Sequence, residues 1–227
     1  MIFLKEAVQD IKQNPTPFFA IALAYACIEL FFLKMLGPTL GSTSVGALFT
    51  SASIGFGLIA YELARIVFIT GFFKMLLLNK EGQKVNIVTF KISINSLSFK
   101  RMLMLEAVVM PIMIAGLMLL FVPGIFWYVI IIFAYFLVVD SNSKIFDCIT
   151  NSIELSKGYR LPILGYTAIY VIISFVGSLH SAMSLIFDTI SSPLYYATLV
   201  VIYKTAKQNK EKLNEVQPNI QSTYPEI

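Results

Sequence analysis

The residues of this chain that could do chemistry are a few charged side chains set inside long apolar stretches. Glu29, Glu62 and Arg65 are the clearest group, and Glu62 and Arg65 share one helix face because they are three residues apart. A charge in an apolar environment is costly unless it is paired or hydrated, so we predict that the three side chains form one cluster. Its function is either a polar or proton-linked site or a structural ion pair that joins two helices. The second is favoured, because nothing beside it is typical of a substrate site.

Other reactive side chains lack the neighbouring acid, base or metal-ligand residues that catalysis requires. His180 is the single histidine, so it cannot build a metal site or a catalytic triad alone. Cys27 lies in an apolar stretch and Cys148 in a polar loop, so we do not expect these two cysteines to form a disulfide. Glu106 and Asp188 lie near the ends of apolar stretches, where we expect water to reach them. We therefore predict no catalytic residue, no metal site and no cofactor, and a protein that is not an enzyme.

The composition predicts a membrane protein. Hydrophobic residues make up 57% of the chain and charged residues 13%, about half of the roughly 25% charged residues of soluble domains. Residues 35–61, 107–139 and 161–187 contain no charged side chain, and each is longer than the roughly 18 residues that indicate a transmembrane helix. The basic residues flank these stretches, which favours membrane lipids rather than nucleic acid as partners.

The fold class that follows is all-α, a polytopic bundle of about six transmembrane helices. Residues 102–139 would form a helix about 57 Å long, whereas the hydrocarbon core is about 30 Å thick; we therefore predict that Val122, Pro123 and Gly124 reverse the chain. The predicted spans are residues 17–36, 48–78, 102–121, 125–139, 161–179 and 183–203. They form one domain, residues 1–206, and residues 207–227 are predicted to be a disordered cytoplasmic tail.

The basic residues also predict the orientation. All but two of the 17 Lys and Arg residues fall on one side of this arrangement, the exceptions being Lys34 and Arg65. Because basic loops remain in the cytoplasm, we predict that both termini are cytoplasmic and that the chain lies in the cell (inner) membrane.

Two cytoplasmic segments have the spacing of amphipathic interfacial helices. The first is residues 1–13. The second follows residue 144: Ile145, Phe146, Ile149 and Ile153 form its predicted apolar face, Ser143 is its predicted N-cap, and it is predicted to end near residues 157–158. Tyrosines such as Tyr128, Tyr195 and Tyr203 are predicted to belong to an aromatic belt at the membrane surface rather than to line a pore.

The order of these elements resembles a known superfamily. The residues that carry the resemblance lie at and after the predicted chain reversal: Pro123, Gly124, Asp140, Ser152, Lys157 and Gly158. The chain is similar to the six-helix bacterial inner-membrane proteins that include the YciC-type proteins and the membrane domain of some glycerophosphodiester phosphodiesterases. The resemblance implies their fold and location. It does not imply the phosphodiesterase activity, because the catalytic domain of those enzymes is not part of this sequence.

Two functions remain open. The first is non-enzymatic support or regulation of the cell envelope, through binding of lipid, of another membrane protein or of a second copy of this chain. The second is a transporter or channel subunit for a small molecule or ion, using Glu29, Glu62 and Arg65.

Overall fold

The computed structural model describes residues 2–15, 18–20, 22–24, 26, 47–86, 88, 96–120, 122–178 and 181–221. Within these residues the protein is helical and contains no strand. The helices are α1 (Ile2–Gln13), α2 (Ala47–Lys80), α3 (Ser96–Leu120), α4 (Val122–Asp140), α5 (Ile145–Ser156), α6 (Arg160–Ser178) and α7 (Ser181–Gln221). The predicted all-α class is confirmed for this part of the chain. Most of the predicted first span, residues 17–36, lies outside it, as do Cys27, Glu29, Lys34 and His180.

Helices α3 and α4 form the predicted antiparallel hairpin, but Val122, Pro123 and Gly124 are the first residues of α4 rather than the predicted turn. Near the reversal, a Cβ atom on Gly116 would lie 3.0 Å from the Cα atom of Gly124. Farther along the pair, the Tyr135 hydroxyl donates to Glu106 Oε2 at 3.2 Å. Residues on opposite sides of the reversal therefore meet in register, with α3 ending at Leu120 and α4 beginning at Val122.

Helix α4 lies at the centre of the bundle and α6 at its edge. Ile131, Phe133, Ala134, Phe136 and Val138 are completely buried, because α4 packs against α2, α3, α5, α6 and α7. Aromatic side chains fill the space around α4: the Phe73 and Phe136 rings are 4.7 Å apart, and Tyr203 packs edge-on against Phe133. By contrast, α6 packs mainly on α7 and leaves most of its apolar surface uncovered.

Two helices in the described part are long and apolar enough to cross a membrane, Pro123–Asp140 and Arg160–Gly177. They correspond to the predicted spans 125–139 and 161–179. Of the first, 61% is buried by the rest of the chain, and of the second only 11%.

Helix α1 is anchored to the end of α2. Lys80 forms ion pairs with Glu6 and with Asp10, the latter at 3.1 Å, and Asn79 donates to the Asp10 carbonyl at 3.0 Å. Burial lowers the pKa of Lys80, but its bonds to these two carboxylates outweigh that effect and raise the pKa above its ordinary value. Ala7 is buried where α1 packs on α7. The predicted N-terminal helix is confirmed, and it is also a packed part of the bundle.

Helix α5 exists as predicted, and its most deeply buried residues lie beside the predicted apolar face rather than on it. Cys148, Ser152, Leu155 and Ser156 face the protein, whereas Phe146 is 72% exposed. The residues at four-residue spacing, 148, 152 and 156, are small, and small side chains let two helices approach closely. Ile145 and Ile149 of the predicted apolar face are partly buried against the core, so the closest packing is made by the small residues beside that face.

The two ends of α5 can be compared with the predicted ones. Its N-cap is Lys144, without a side-chain cap, rather than Ser143, whereas its end at Lys157 and Gly158 is confirmed. Gly158 has a φ of 86°, a conformation that glycine adopts without the strain that a Cβ atom would cause.

The predicted disordered tail is wrong for most of its length. Helix α7 continues from Ser181 as far as Gln221. Two contacts fix its first turns beyond residue 206: Asn209 donates to the Tyr159 hydroxyl at 2.7 Å, and Lys210 forms an ion pair with Glu154. Residues 222–227 lie outside the described part.

Candidate functional site

The strongest concentration of polar chemistry inside the bundle is centred on Arg65. Its Nε atom donates to Glu62 Oε2 at 2.7 Å, and its Nη2 atom donates to Glu106 Oε1 at 3.1 Å. The second Glu106 oxygen accepts the bond from Tyr135. We call Glu62, Arg65, Glu106 and Tyr135 the Arg65 cluster; it joins α2, α3 and α4.

Sequence reasoning predicted part of this cluster and missed the rest. The pairing of Glu62 with Arg65 is confirmed, and Glu29 lies outside the described residues. Glu106 is only 7% exposed, so the expectation that water reaches it is wrong: the α3–α4 hairpin covers it. The side chain of Asp188 lies outside the described part.

The Arg65 cluster lies near one end of α4. Glu106 is five residues beyond Arg101, and Tyr135 is five residues before Asp140. At 1.5 Å per helical residue, both counts place the cluster about 8 Å from the level of Arg101 and Asp140. Glu62 has the most accessible side chain of the three charged residues, 43% exposed against 21% for Arg65 and 9% for Glu106.

A second polar group, which we call the Asp140 cluster, closes that end of the bundle. Asp140 accepts bonds from Lys207 at 2.7 Å and from the Tyr203 hydroxyl at 2.8 Å. Lys204 lies 3.5 Å from Asp140 and 2.7 Å from Glu81. Because Glu81 follows α2 directly, this cluster ties α2, α4 and α7 together.

Arg101 holds the loop between α4 and α5. Its Nη1 atom donates to the Ser141 carbonyl at 2.6 Å, and its Nη2 atom donates to the Ser143 carbonyl. Cys148 lies beside it, with its sulfur 3.9 Å from Arg101 Nη2. Burial raises the pKa of the Cys148 thiol, and the positive charge of Arg101 only partly opposes that effect. Carbonyl oxygens satisfy the donors of Arg101 without neutralising its charge.

Hydroxyl groups form a third set between α4, α6 and α7. The Tyr195 hydroxyl is 2.9 Å from the Tyr128 hydroxyl and 2.9 Å from Thr167 Oγ1. The Tyr170 and Tyr195 rings are stacked with centroids 4.4 Å apart. Tyr195 and Tyr203 are 6% and 0% exposed, so the predicted position in a surface belt is wrong for both: their hydroxyls find partners inside the bundle.

Five of the six residues behind the family resemblance have a clear structural role, and Pro123 is an exposed residue at the start of α4. Gly124 faces Gly116, Asp140 holds Lys204 and Lys207, and Ser152 Oγ donates to the Ile130 carbonyl at 2.8 Å. Lys157 caps α5 through its backbone N–H, and Gly158 supplies the positive φ. These contacts position helices, and none of these residues reaches the Arg65 cluster.

The chemistry that the site allows is limited. No three His, Cys, Asp or Glu residues within the described part of the chain lie together as metal ligands. The Arg65 cluster combines two carboxylates, one guanidinium and one phenol, groups that can hold helices together or bind a proton or small polar solute in an apolar environment.

The residues that sequence reasoning missed are Glu106, Tyr135, Arg101, Tyr203 and Lys207. A usable signal existed for the first two. In an antiparallel hairpin, residues at equal distance from the reversal face each other, and Glu106 and Tyr135 lie almost equally far from Phe121. The Asp140 cluster depends on where α7 packs, and hydrophobic periodicity does not contain that information.

Comparison with protein-family models, with curated proteins and with solved structures gives no match to this chain.

Proposed function

We propose that this chain is a non-enzymatic, six-span membrane protein that supports or regulates the cell envelope by binding lipid or another membrane protein. Both termini are cytoplasmic. The family resemblance implies the same fold and location, and it remains part of the proposal.

The observation that carries the proposal is the uncovered surface of α6. Leu161, Ile172 and Phe175 are 79%, 62% and 67% exposed, on a helix long and apolar enough to cross a bilayer. A continuous apolar surface of this kind in water would drive aggregation, whereas in lipid it is at its most stable. This favours a bilayer as the surroundings of α6.

The distribution of charge supports the proposed orientation. Lys74, Arg101 and Lys204 meet around the end of α4: Lys74 Nζ lies 3.4 Å from the Val139 carbonyl, Arg101 holds the next loop, and Lys204 contacts Asp140. Basic residues from three separate helices therefore gather at one end of the bundle, which is typical of the cytoplasmic side.

The pairing of the charged groups favours a structural role for the Arg65 cluster. Arg65 on α2 contacts Glu106 on α3, and Tyr135 on α4 donates to the same carboxylate, so the cluster links three helices that the apolar contacts alone would hold less specifically. A scaffold that binds partners through its surface needs no reaction chemistry there.

Accessibility labelling tests the topology. In a chain carrying Cys27→Ser and Cys148→Ser, we place single cysteines at Phe90, Thr150 and Thr43. In right-side-out vesicles, a membrane-impermeant maleimide should label Thr43→Cys at once, and the other two only after permeabilisation. Opposite reactivity of Phe90→Cys and Thr150→Cys would overturn the proposal.

A second candidate is a transporter or channel subunit for a small molecule or ion. The observation that favours it is the excess of carboxylates over guanidinium in the Arg65 cluster, together with the partial exposure of Glu62. Its test is a combined variant, Glu62→Leu, Arg65→Met and Glu106→Leu, because changing only the first two would leave Glu106 buried and unpaired. If this variant assembles and still complements a deletion strain, the cluster is not a transport site.

A further inference from the structure

The junction between α3 and α5 presents basic and apolar side chains side by side. Arg101, on the first turns of α3, contacts the carbonyls of Ser141 and Ser143. These bonds hold the first turns of α3 against the loop that leads into α5, so Lys100 and Lys144 lie on adjoining segments at the same end of the bundle. Lys100 and Lys144 are both exposed.

Within the part of the chain that the structure describes, the positive charge of Lys100, Arg101 and Lys144 is not neutralised. There, the carboxylates Glu6, Asp10, Glu81, Asp140 and Glu154 each form an ion pair with a lysine from another element. Lys100 and Lys144 take part in none of the ion pairs in that region, and Arg101 is bonded to carbonyls. Asp147, in the first turn of α5, offsets only one of the three positive charges.

Two large apolar side chains flank these charges. Leu97 is 55% exposed and shares a helix face with Lys100 and Arg101, since it precedes them by three and four residues. Phe146 is 72% exposed and lies two residues beyond Lys144. Exposed aromatic and aliphatic groups beside lysines are typical of surfaces that insert between lipid head groups.

We propose that Lys100, Lys144, Leu97 and Phe146, which we call the α3–α5 surface, bind an anionic phospholipid of the cytoplasmic leaflet. The lysines contact the phosphate of the head group, and Leu97 and Phe146 contact the upper acyl chains. This surface lies at the end of α4 where the apolar segment Pro123–Asp140 stops, which is the depth of the head groups. The inference rests on the proposed membrane topology and names the lipid that it would bind.

The test is a lipid titration of the purified full-length protein in detergent, followed by native mass spectrometry. The probes are phosphatidylglycerol and phosphatidylcholine with identical acyl chains. Each lysine near a membrane surface favours anionic lipid by about fivefold, so with two lysines we expect the first phosphatidylglycerol to bind about 30-fold more tightly than phosphatidylcholine. Lys100→Gln/Lys144→Gln should lose most of that preference.

The matched control is Lys5→Gln/Lys12→Gln, which removes the same charge from exposed positions of α1 and should keep the preference. Phe146→Ser should weaken the binding of both lipids alike and leave their ratio unchanged. Soluble glycerol phosphate, added in excess, should not displace the lipid because it lacks acyl chains.

Three results would overturn the inference: an unchanged preference in Lys100→Gln/Lys144→Gln, an equal loss in both double variants, or displacement by glycerol phosphate. None of these would affect the topology labelling of residues 43, 90 and 150. Conversely, cysteines 90 and 150 on opposite sides would remove the basis of the proposed function whatever the lipid preference.

Discussion

Arg65 is the residue on which the interior polar contacts of α2 and α3 depend. Its guanidinium presents several donors in a rigid plane, so one side chain can hold the Glu62 and Glu106 carboxylates at the same time. A lysine has a single ammonium group and could not reproduce both bonds with this geometry. Replacing Arg65 should therefore affect stability differently from replacing either glutamate.

We expect Arg65→Met to be much more destabilising than Glu62→Gln. Loss of the arginine leaves Glu106 buried beside an uncharged neighbour, which costs about 3–5 kcal/mol for a buried pair. Glu62 is the more exposed partner, and its loss should cost about 0–1 kcal/mol. Unfolding of each variant in detergent gives the comparison, with Tyr135→Phe as a mild control. Equal costs for the two changes would contradict the central role of Arg65.

Cys148 should react slowly with thiol reagents. Its side chain is completely buried and burial raises its pKa, so the thiolate fraction at pH 8 is small. In a Cys27→Ser background, we expect maleimide to label Cys148 at least about tenfold more slowly than a cysteine at the exposed Thr150. The rate should still be rising above pH 9, since a raised pKa moves ionisation to higher pH. Rapid labelling at pH 7 would show that α5 does not stay packed on α4.

At the scale of the helices, the hydrophobic pattern and the turn residues predicted well which helices exist and where the chain reverses. They predicted poorly which helix faces pack together. The α3–α4 reversal was predictable because its apolar stretch is too long for one span and contains a Pro-Gly pair. The most deeply buried residues of α5 were not, because Cys148, Ser152 and Ser156 pack through small size rather than hydrophobicity. Continuation of α7 past residue 206 depends on partners such as Glu154 and Tyr159, which a local pattern does not reveal.

The close approach of α3 and α4 should make Gly116 sensitive to a single methyl group. A Cβ atom there would lie 3.0 Å from backbone atoms of Gly124, so Gly116→Ala must push the helices apart, and we expect a loss of about 1–3 kcal/mol. The matched control is Gly165→Ala on α6, where a Cβ atom would meet nothing within 4 Å. That change should be neutral or stabilise by up to about 1 kcal/mol through helix propensity. Thermal unfolding of both variants checks the contrast.

In the molecule as a whole, the cytoplasmic end of the proposed bundle is held by charge and the interior by apolar packing. Lys80, Lys204, Lys207 and Lys210 each cross from one helix to another segment to reach a carboxylate. Such pairs are individually weak near water but fix which helices are neighbours. Helix α7 supplies three of these lysines, and two of them lie beyond Ala206.

A chain that ends at Ala206 should therefore be less stable than one that ends at Glu215. The shorter chain loses Lys207, Asn209 and Lys210 and so releases Asp140, Tyr159 and Glu154. Each of these contacts is weak near water but the three act together, and we expect a fall of a few degrees in Tm. The longer chain keeps all three contacts and should match the full-length protein. A Tm that is the same for both truncations would show that these contacts contribute nothing.

The hairpin formed by α3 and α4 has a consequence for biosynthesis. In the proposed topology, α3 ends at Leu120 and α4 begins at Val122, so neither helix could enter a bilayer far ahead of the other and the two would insert as a unit. Glu106 would then meet the Tyr135 hydroxyl during insertion itself. The carboxylate that is most costly to transfer into lipid would thus arrive with a hydrogen-bond donor already beside it.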